Sequence, residues 1–191
     1  MDAFEYATGL FAIVIGLAIG DMGMSLHKLL GCRGVRWGYR PIAAAVLVAI
    51  IVSGMWFQLW SIRELPMVRA YPFYASLIVE LFLVFLMAAA VFPDDTEDGM
   101  DLVAAYEGNA RRIWTLTALY QTSYLAHGLY FMFSNPRFAW DWLVFVVPVY
   151  LTLILAPAAM AIWPRAAWLH RIAITAMIAF FLWDYSTASL R

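Results

Sequence analysis

Six apolar runs dominate this sequence, at residues 6–30, 41–62, 73–92, 113–133, 142–162 and 166–187. Each is about 20–25 residues long, enough at ~1.5 Å per residue to cross the hydrocarbon core of a bilayer. None shows the strict alternation of a membrane barrel strand. The chain is 65% hydrophobic and 13% charged over 191 residues, against roughly 25% charge in a soluble domain. These counts predict an all-α integral membrane protein, a six-transmembrane-helix bundle forming one domain over residues 1–191. The remainder is loop, with no room for a soluble module. A net charge of −1 and the lack of a basic run exclude a nucleic-acid surface.

The breaks between runs carry turn chemistry. Gly31-Cys32-Arg33-Gly34 separates the first two, and Pro41 suits a first helical turn. Pro66 and Pro72 bracket the next connection, Pro93-Asp94-Asp95 stops the third run, and Ser134-Asn135-Pro136 stops the fourth. Trp163-Pro164-Arg165 leaves only a tight hairpin between the fifth and sixth. All nine tryptophans, Trp37, Trp56, Trp60, Trp114, Trp140, Trp142, Trp163, Trp168 and Trp183, fall near expected helix ends, where indole prefers the headgroup region. The acidic N-terminus lacks the basic region of a signal peptide, so the first run is read as a retained helix.

Basic residues set the expected orientation. Lys28, Arg33, Arg36, Arg40, Arg111, Arg112, Arg165 and Arg171 collect at one end, against Arg63, Arg69, Arg137 and Arg191 at the other. The richer side is expected to be cytoplasmic, with both termini periplasmic. Residues 94–112 open with an acidic loop and then either continue as a surface helix into the fourth span or form a solvated linker. The loop lacks EF-hand spacing, so no metal site is expected.

Charged and polar residues inside the apolar runs are the candidates for function, because each is costly in hydrocarbon. Asp21 lies two turns from the end of the first run, sharing a face with Ser25 and Lys28. Pairing with Lys28 or a loop arginine competes there with a place on an ion path. Glu80 is flanked by Leu77, Ile78, Val79, Leu81 and Phe82, with only Ser76 as a polar neighbour on its own helix. The fourth run offers a stripe of Thr117, Tyr120, Gln121, Tyr124, His127 and Gly128 at three- and four-residue steps. Glu80, His127 and Gln58 fall at similar depth and are expected to meet in one polar network, with Tyr120, Gln121 and Tyr124 along the same stripe. His27 and His170 fall at the basic edge and read as surface histidines. Pro148 and Pro157 interrupt the fifth run and are expected to bend it. Gly9, Gly16, Gly20 and Gly23, including a GxxxG at Gly16 and Gly20, read as a helix-packing face. No hydrolase or nucleotide-binding motif is present, and the sequence names no cofactor.

The run Gly9-Leu10-Phe11-Ala12-Ile13-Val14-Ile15, with Trp56 near the end of the second helix, resembles the bacterial relatives of the lysosomal potassium channel. That resemblance implies a six-helix protein and ion permeation. It departs at Tyr6-Ala7-Thr8, where that family carries Phe-Ser-Asp, and the family's termini are cytoplasmic. The segments from Gly16 to Asp21 and from Leu26 to Leu30, Val35-Arg36-Trp37 behind Arg33, and Arg111-Arg112 also resemble a group of uncharacterised bacterial six-helix inner-membrane proteins. This second likeness implies a bacterial inner membrane. The expected function is a small channel or carrier for an ion or polar solute, with self-association through Gly16 and Gly20. The alternative is a non-catalytic accessory or scaffold subunit of a larger membrane complex.

Overall fold

The structure, a computed structural model, describes residues 3–62, 71–134 and 140–187. Among these it contains six helices and no strand: α1 (Ala3–Gly31), α2 (Tyr39–Ile62), α3 (Tyr71–Val91), α4 (Leu102–Ser134), α5 (Trp140–Ile162) and α6 (Ala167–Thr187). Four of them, α1, α2, α3 and α6, are long and apolar enough to cross a membrane. Helix α4 is less apolar than the sequence pattern suggested, its first turns carrying Glu107, Arg111 and Arg112, and the apolar run of α5 is described over Val147–Ile162. Both prolines of α5 lie inside the helix.

The residues each helix buries follow its period. On α1 the buried seam is Phe11, Ile15, Ala18, Met22 and Leu29, at steps of four, three, four and seven. It packs on α2 and α3. Two positions along, or about 200° around the helix, runs a second seam of Gly9, Ile13, Gly16, Gly20, Gly23 and His27, all exposed. Among the described residues, nothing beyond the helix's own backbone and chain neighbours lies within 4 Å of where a Cβ would stand on any of those four glycines. The glycine face therefore packs on none of the described helices.

Helix α2 is central and touches α1, α3, α4 and α6. Its Ala43, Ala44, Leu47, Val48, Ile51, Val52 and Met55 are buried. At Gly54 the Tyr185 ring of α6 sits where a side chain would be, so this glycine admits the closest approach of the two helices. Helix α5 packs on α4 and α6.

The α1–α2, α3–α4 and α5–α6 connections all lie at one end. The first two are zipped together. The Arg36 N–H donates to the Met100 carbonyl at 2.8 Å, and Leu102 N–H returns to the Arg36 carbonyl at 3.3 Å, an isolated parallel bridge. Gly99 N–H reaches the Arg33 carbonyl, and Arg33 N–H reaches Asp98 Oδ1. Gly34 and Gly99 hold φ of 68° and 80°, which side-chain-bearing residues rarely adopt. An Arg36–Asp101 ion pair of 3.1 Å lies over the bridge. Lys28, Arg33, Arg36, Arg40, Arg111, Arg112, Arg165 and Arg171 all belong to this end. Arg63, Arg69, Arg137 and Arg191, with Pro66, Asn135 and Pro136, lie outside the described residues.

The tryptophans divide. Trp37, Trp56, Trp60, Trp163, Trp168 and Trp183 are exposed, as a headgroup belt requires, but Trp114 is fully buried. The side chains of Trp140 and Trp142 lie outside the described residues. Gly54→Ala should force Tyr185 aside and cost about 1–3 kcal/mol, as overpacked sites do, whereas Gly20→Ala should be neutral to folding. Thermal unfolding of the two variants in detergent separates them.

Candidate functional site

Two buried polar clusters occupy opposite ends of the α3–α4 pair. The first is built on Glu80. It falls on the buried seam of α3, among Phe73, Leu77, Leu81, Val84 and Met87, and is only 2% exposed. Across from it, α4 turns its polar stripe inward. The helices run antiparallel, with Asn109 Nδ2 donating to the Ala90 carbonyl and Thr117 Oγ1 to Met87 Sδ. This register brings His127 to Glu80, with Nδ1 2.8 Å from Oε1. The separation is that of an ion pair, but the ring N–H is not aimed along it, and Oε1 is left without a directed hydrogen bond. The Phe73 ring packs against the imidazole at 4.8 Å between centroids.

Ser76 completes the group. Its hydroxyl donates to the Phe73 carbonyl at 2.7 Å, and its oxygen lies 2.5 Å from His127 Nε2. A carbonyl can only accept, so the single hydroxyl proton is committed there. The serine oxygen must then accept from Nε2–H. That assigns the tautomer from the network: Nε2 carries a hydrogen, and Nδ1 faces the carboxyl group.

The other residues of the expected network lie beside this pair rather than bonded to it by any contact described. Tyr120 Oη donates to Gln58 Oε1 at 3.2 Å. Tyr120 stacks on Tyr124 at 6.5 Å, and Tyr124 packs on Tyr150 of α5 at 5.4 Å. Tyr124 lies within electrostatic range of both Glu80 and Asp184 of α6. Gln121 is 1% exposed, and its Nε2 has no hydrogen-bond partner. Glu80, His127, Gln58, Tyr120, Gln121 and Tyr124 thus share the interior of the bundle. Asp21 does not join them. It is exposed on the flank of α1, and among the described residues no ion pair joins it to Lys28 or a loop arginine. Ser76 was expected only as Glu80's polar neighbour on its own helix, and Tyr150, Asp184 and Tyr185 were not expected in the cluster. The three on α5 and α6 belong to runs whose inward face no polar stripe marks.

The second cluster overturns the reading of His170 as a surface histidine, since the residue is fully buried. Trp114 Nε1–H donates to Tyr106 Oη at 2.9 Å. The Tyr106 hydroxyl lies 2.6 Å from His170 Nδ1, and His170 Nε2 lies 3.2 Å from the Trp163 carbonyl. The carbonyl again fixes the direction. Nε2–H donates to it, and Tyr106 O–H donates to Nδ1. Burial pushes the Tyr106 phenol well above its ordinary value. Arg40 lies over the Tyr106 ring and pairs with Glu107 at 2.6 Å. Residues 94–101 form the loop, and α4 begins at Leu102 as a buried helix rather than a surface one, with Leu102 and Tyr106 in the core.

Asp101 caps α4, accepting from Val103 N–H at 2.9 Å and Ala104 N–H at 3.2 Å. Among the described residues, no group of three His, Cys, Asp or Glu side chains is placed to hold a metal ion. Compared with known proteins, the chain matches no family model, no curated sequence and no solved structure.

Tyr106→Phe should cost about 1–3 kcal/mol, because it strands the buried Trp114 N–H and the His170 ring nitrogen. Denaturation in detergent reads this directly. The Asp101 carboxyl is held below its ordinary value of 3.8, first by the Ala104 N–H it accepts. A lowered folded-state value means the cap's contribution is fully present above the ordinary value. It is lost as pH falls through the lower one. Acid unfolding below about pH 4 should therefore be blunted in Asp101→Asn, which keeps the cap without the charge.

Proposed function

We propose that this chain is a small integral membrane channel or carrier for an ion or polar solute, with six spans crossing a bacterial inner membrane. One observation carries the reading: an ionisable pair, Glu80 and His127, is sunk in an apolar helix seam with buried polar atoms left uncommitted around it. Placing an acidic or basic residue at mid-membrane costs ~2.5–3.5 kcal/mol on insertion scales. A structural network offsets that cost by saturating every donor and acceptor. This one leaves Glu80 Oε1 and Gln121 Nε2 open.

The placement of the basic residues supports a cytoplasmic location for the α1–α2, α3–α4 and α5–α6 connections and periplasmic termini. The exposed glycine seam of α1 supports a homo-oligomer in which Gly16 and Gly20 admit a second helix at short range. The same seam favours a second reading, in which it docks another membrane subunit and the chain transports nothing.

Protein reconstituted in vesicles should carry a pH-dependent flux of protons or small cations. Glu80→Gln should abolish that pH dependence without loss of helix content. No flux of either kind, together with stoichiometric co-purification of other membrane subunits, would establish the scaffold reading instead. Gly16→Leu or Gly20→Leu should shift the purified protein from oligomer to monomer, with no change in unfolding of the monomer. Light scattering in detergent measures that shift.

A further inference from the structure

Hydroxyls inside these helices commonly turn back on their own backbone. Ser53 bonds the Ala49 and Ile50 carbonyls, Thr122 that of Ala118, and Ser186 that of Trp183. Ser76 does the same toward Phe73 at 2.7 Å, but it has a base as a second acceptor, His127 Nε2, 2.5 Å from its oxygen. On the far side of the imidazole, Nδ1 stands 2.8 Å from Glu80 Oε1. The two ring nitrogens point away from each other, so a hydroxyl, a base and an acid stand in series. The Phe73 ring against the imidazole limits its rotation. His170 is the contrast within the same chain. It is fully buried, and its nitrogens face a phenol and a backbone carbonyl.

Exposure is graded along the series. The Glu80 side chain is 3% exposed, the imidazole 17%, and Ser76 is half-buried. The acid is sealed, whereas the hydroxyl and the base reach the edge of the α3–α4 pair. Val79, one turn from Ser76, and Tyr130, one turn from His127, are exposed along that edge. Ser76 also lies less than two turns from Tyr71, the first residue of α3, at the end of the bundle away from the zipped loops. The N–H groups of a first helical turn have no partner inside the helix, and the dipole there favours negative charge.

We propose that Ser76, His127 and Glu80 form a nucleophile–base–acid relay that hydrolyses long-chain acyl esters at this edge. The proposal goes beyond the transport reading and does not depend on it. The order of atoms is that of a serine hydrolase relay. Bonded to the Phe73 carbonyl, the serine hydroxyl is at rest. Turning that one O–H bond to Nε2, with the ring hydrogen on Nδ1, moves no heavy atom and puts an N–H toward Glu80. The Nδ1 contact is not yet aligned, as is common of catalytic hydrogen bonds before substrate binds. Ser76 Oγ then attacks the ester carbonyl carbon, and its proton passes to Nε2. The carboxylate of Glu80 balances the imidazolium across Nδ1, and the start of α3 favours the oxyanion. The same proton passes to the leaving alkoxide oxygen as the ester C–O bond breaks. Water repeats the sequence on the acyl-serine, so ester and water give acid and alcohol. The apolar edge selects a long acyl chain. Ser76 and His127 are the catalytic residues, and Glu80 is a positioning residue.

Purified full-length protein in detergent would be treated with an alkyl fluorophosphonate, from which a serine oxygen displaces fluoride, and the adduct mapped by mass spectrometry. One adduct per chain is expected, at Ser76, and none after heat denaturation. Ser76→Ala and His127→Ala, with helix content checked by circular dichroism, should not label. Glu80→Gln should slow the maximal labelling rate on the order of a hundredfold with no change in the probe concentration giving half that rate, and Glu80→Asp should recover part of it. After subtraction of the Ser76→Ala rate, p-nitrophenyl decanoate should be cleaved about tenfold faster than the acetate or more, as alkyl burial favours. Absence of an adduct in the wild type, an adduct at another residue, or equal labelling of denatured protein overturns the relay. Wild-type labelling rates in Glu80→Gln overturn the role of the acid, and faster cleavage of the acetate overturns the long-chain substrate.

Discussion

Glu80 occupies a step of the α3 seam that Phe73, Leu77, Leu81, Val84 and Met87 otherwise fill with hydrocarbon. Its desolvation sets the terms for the helices around it. A carboxyl group there needs a partner from another element, and among the described residues His127 is the base that reaches it. Meeting it fixes the rotation of α4 about its own axis. Thr117, Tyr120 and Gln121 then turn inward and are buried, while Leu119 and Tyr130 turn outward and are exposed. With α4 fixed, Tyr124 meets Tyr150 and sets where α5 lies. A single polar residue in an apolar seam thus propagates through two further helices, because buried polar groups have few acceptable orientations.

The two polar clusters differ in how each histidine is held, although both leave buried polar atoms without a hydrogen-bond partner, Arg40 Nη1 beside Tyr106 in one and Glu80 Oε1 and Gln121 Nε2 in the other. Around His170, the chain from Trp114 N–H through the Tyr106 hydroxyl and the imidazole to the Trp163 carbonyl links each donor to one acceptor. Protonating Nδ1 would leave the Tyr106 hydroxyl proton without a partner, so the neutral ring is the state the packing holds. This cluster ties α4, α6 and the α5–α6 turn together near the zipped loops. Around Glu80 the bookkeeping does not close. The contact with His127 is short but not directed, and two buried atoms stay open.

Much of this was readable from residue spacing. The helices, the connection ends that share the basic residues, and the Glu80–His127 meeting follow from apolar runs, turn residues and matched depth. Depth along a helix is a matter of counting. Rotation is not, and the misreadings are of that kind. His170 and Trp114 lie near helix ends by count, yet face inward because Tyr106 offers both a partner. Tyr150 sits in uniformly apolar surroundings, where no periodic contrast marks the inner face, and Tyr185 lies among polar residues at the end of its run, which read as a helix terminus. Gly54 was silent for the same reason, since a glycine reports close approach only once its neighbour is known. Asp21 shows the reverse error. Lys28 is at helical spacing from it, but both side chains lie on the exposed flank and do not pair.

Helix α1 has more structure in its sequence than one chain can use. Its apolar seam and its glycine seam lie on nearly opposite sides, and α2 and α3 cover only the first. Bare glycines facing lipid give up dispersion contacts and offer backbone to hydrocarbon, while leucines at those steps would form a better isolated helix. Asp21, on the flank beside Gly20, compounds the cost. The proposed self-association answers both problems at once. In that proposal, close approach across Gly16 and Gly20 would replace lipid contacts with backbone packing beside Asp21, which has no ion-pair partner among the described residues. A helix that paired only through leucines could associate as well, but it would hold its neighbour further away. Short distance is what a small-residue seam supplies, and it is what lets an exposed carboxylate find a partner inside a membrane.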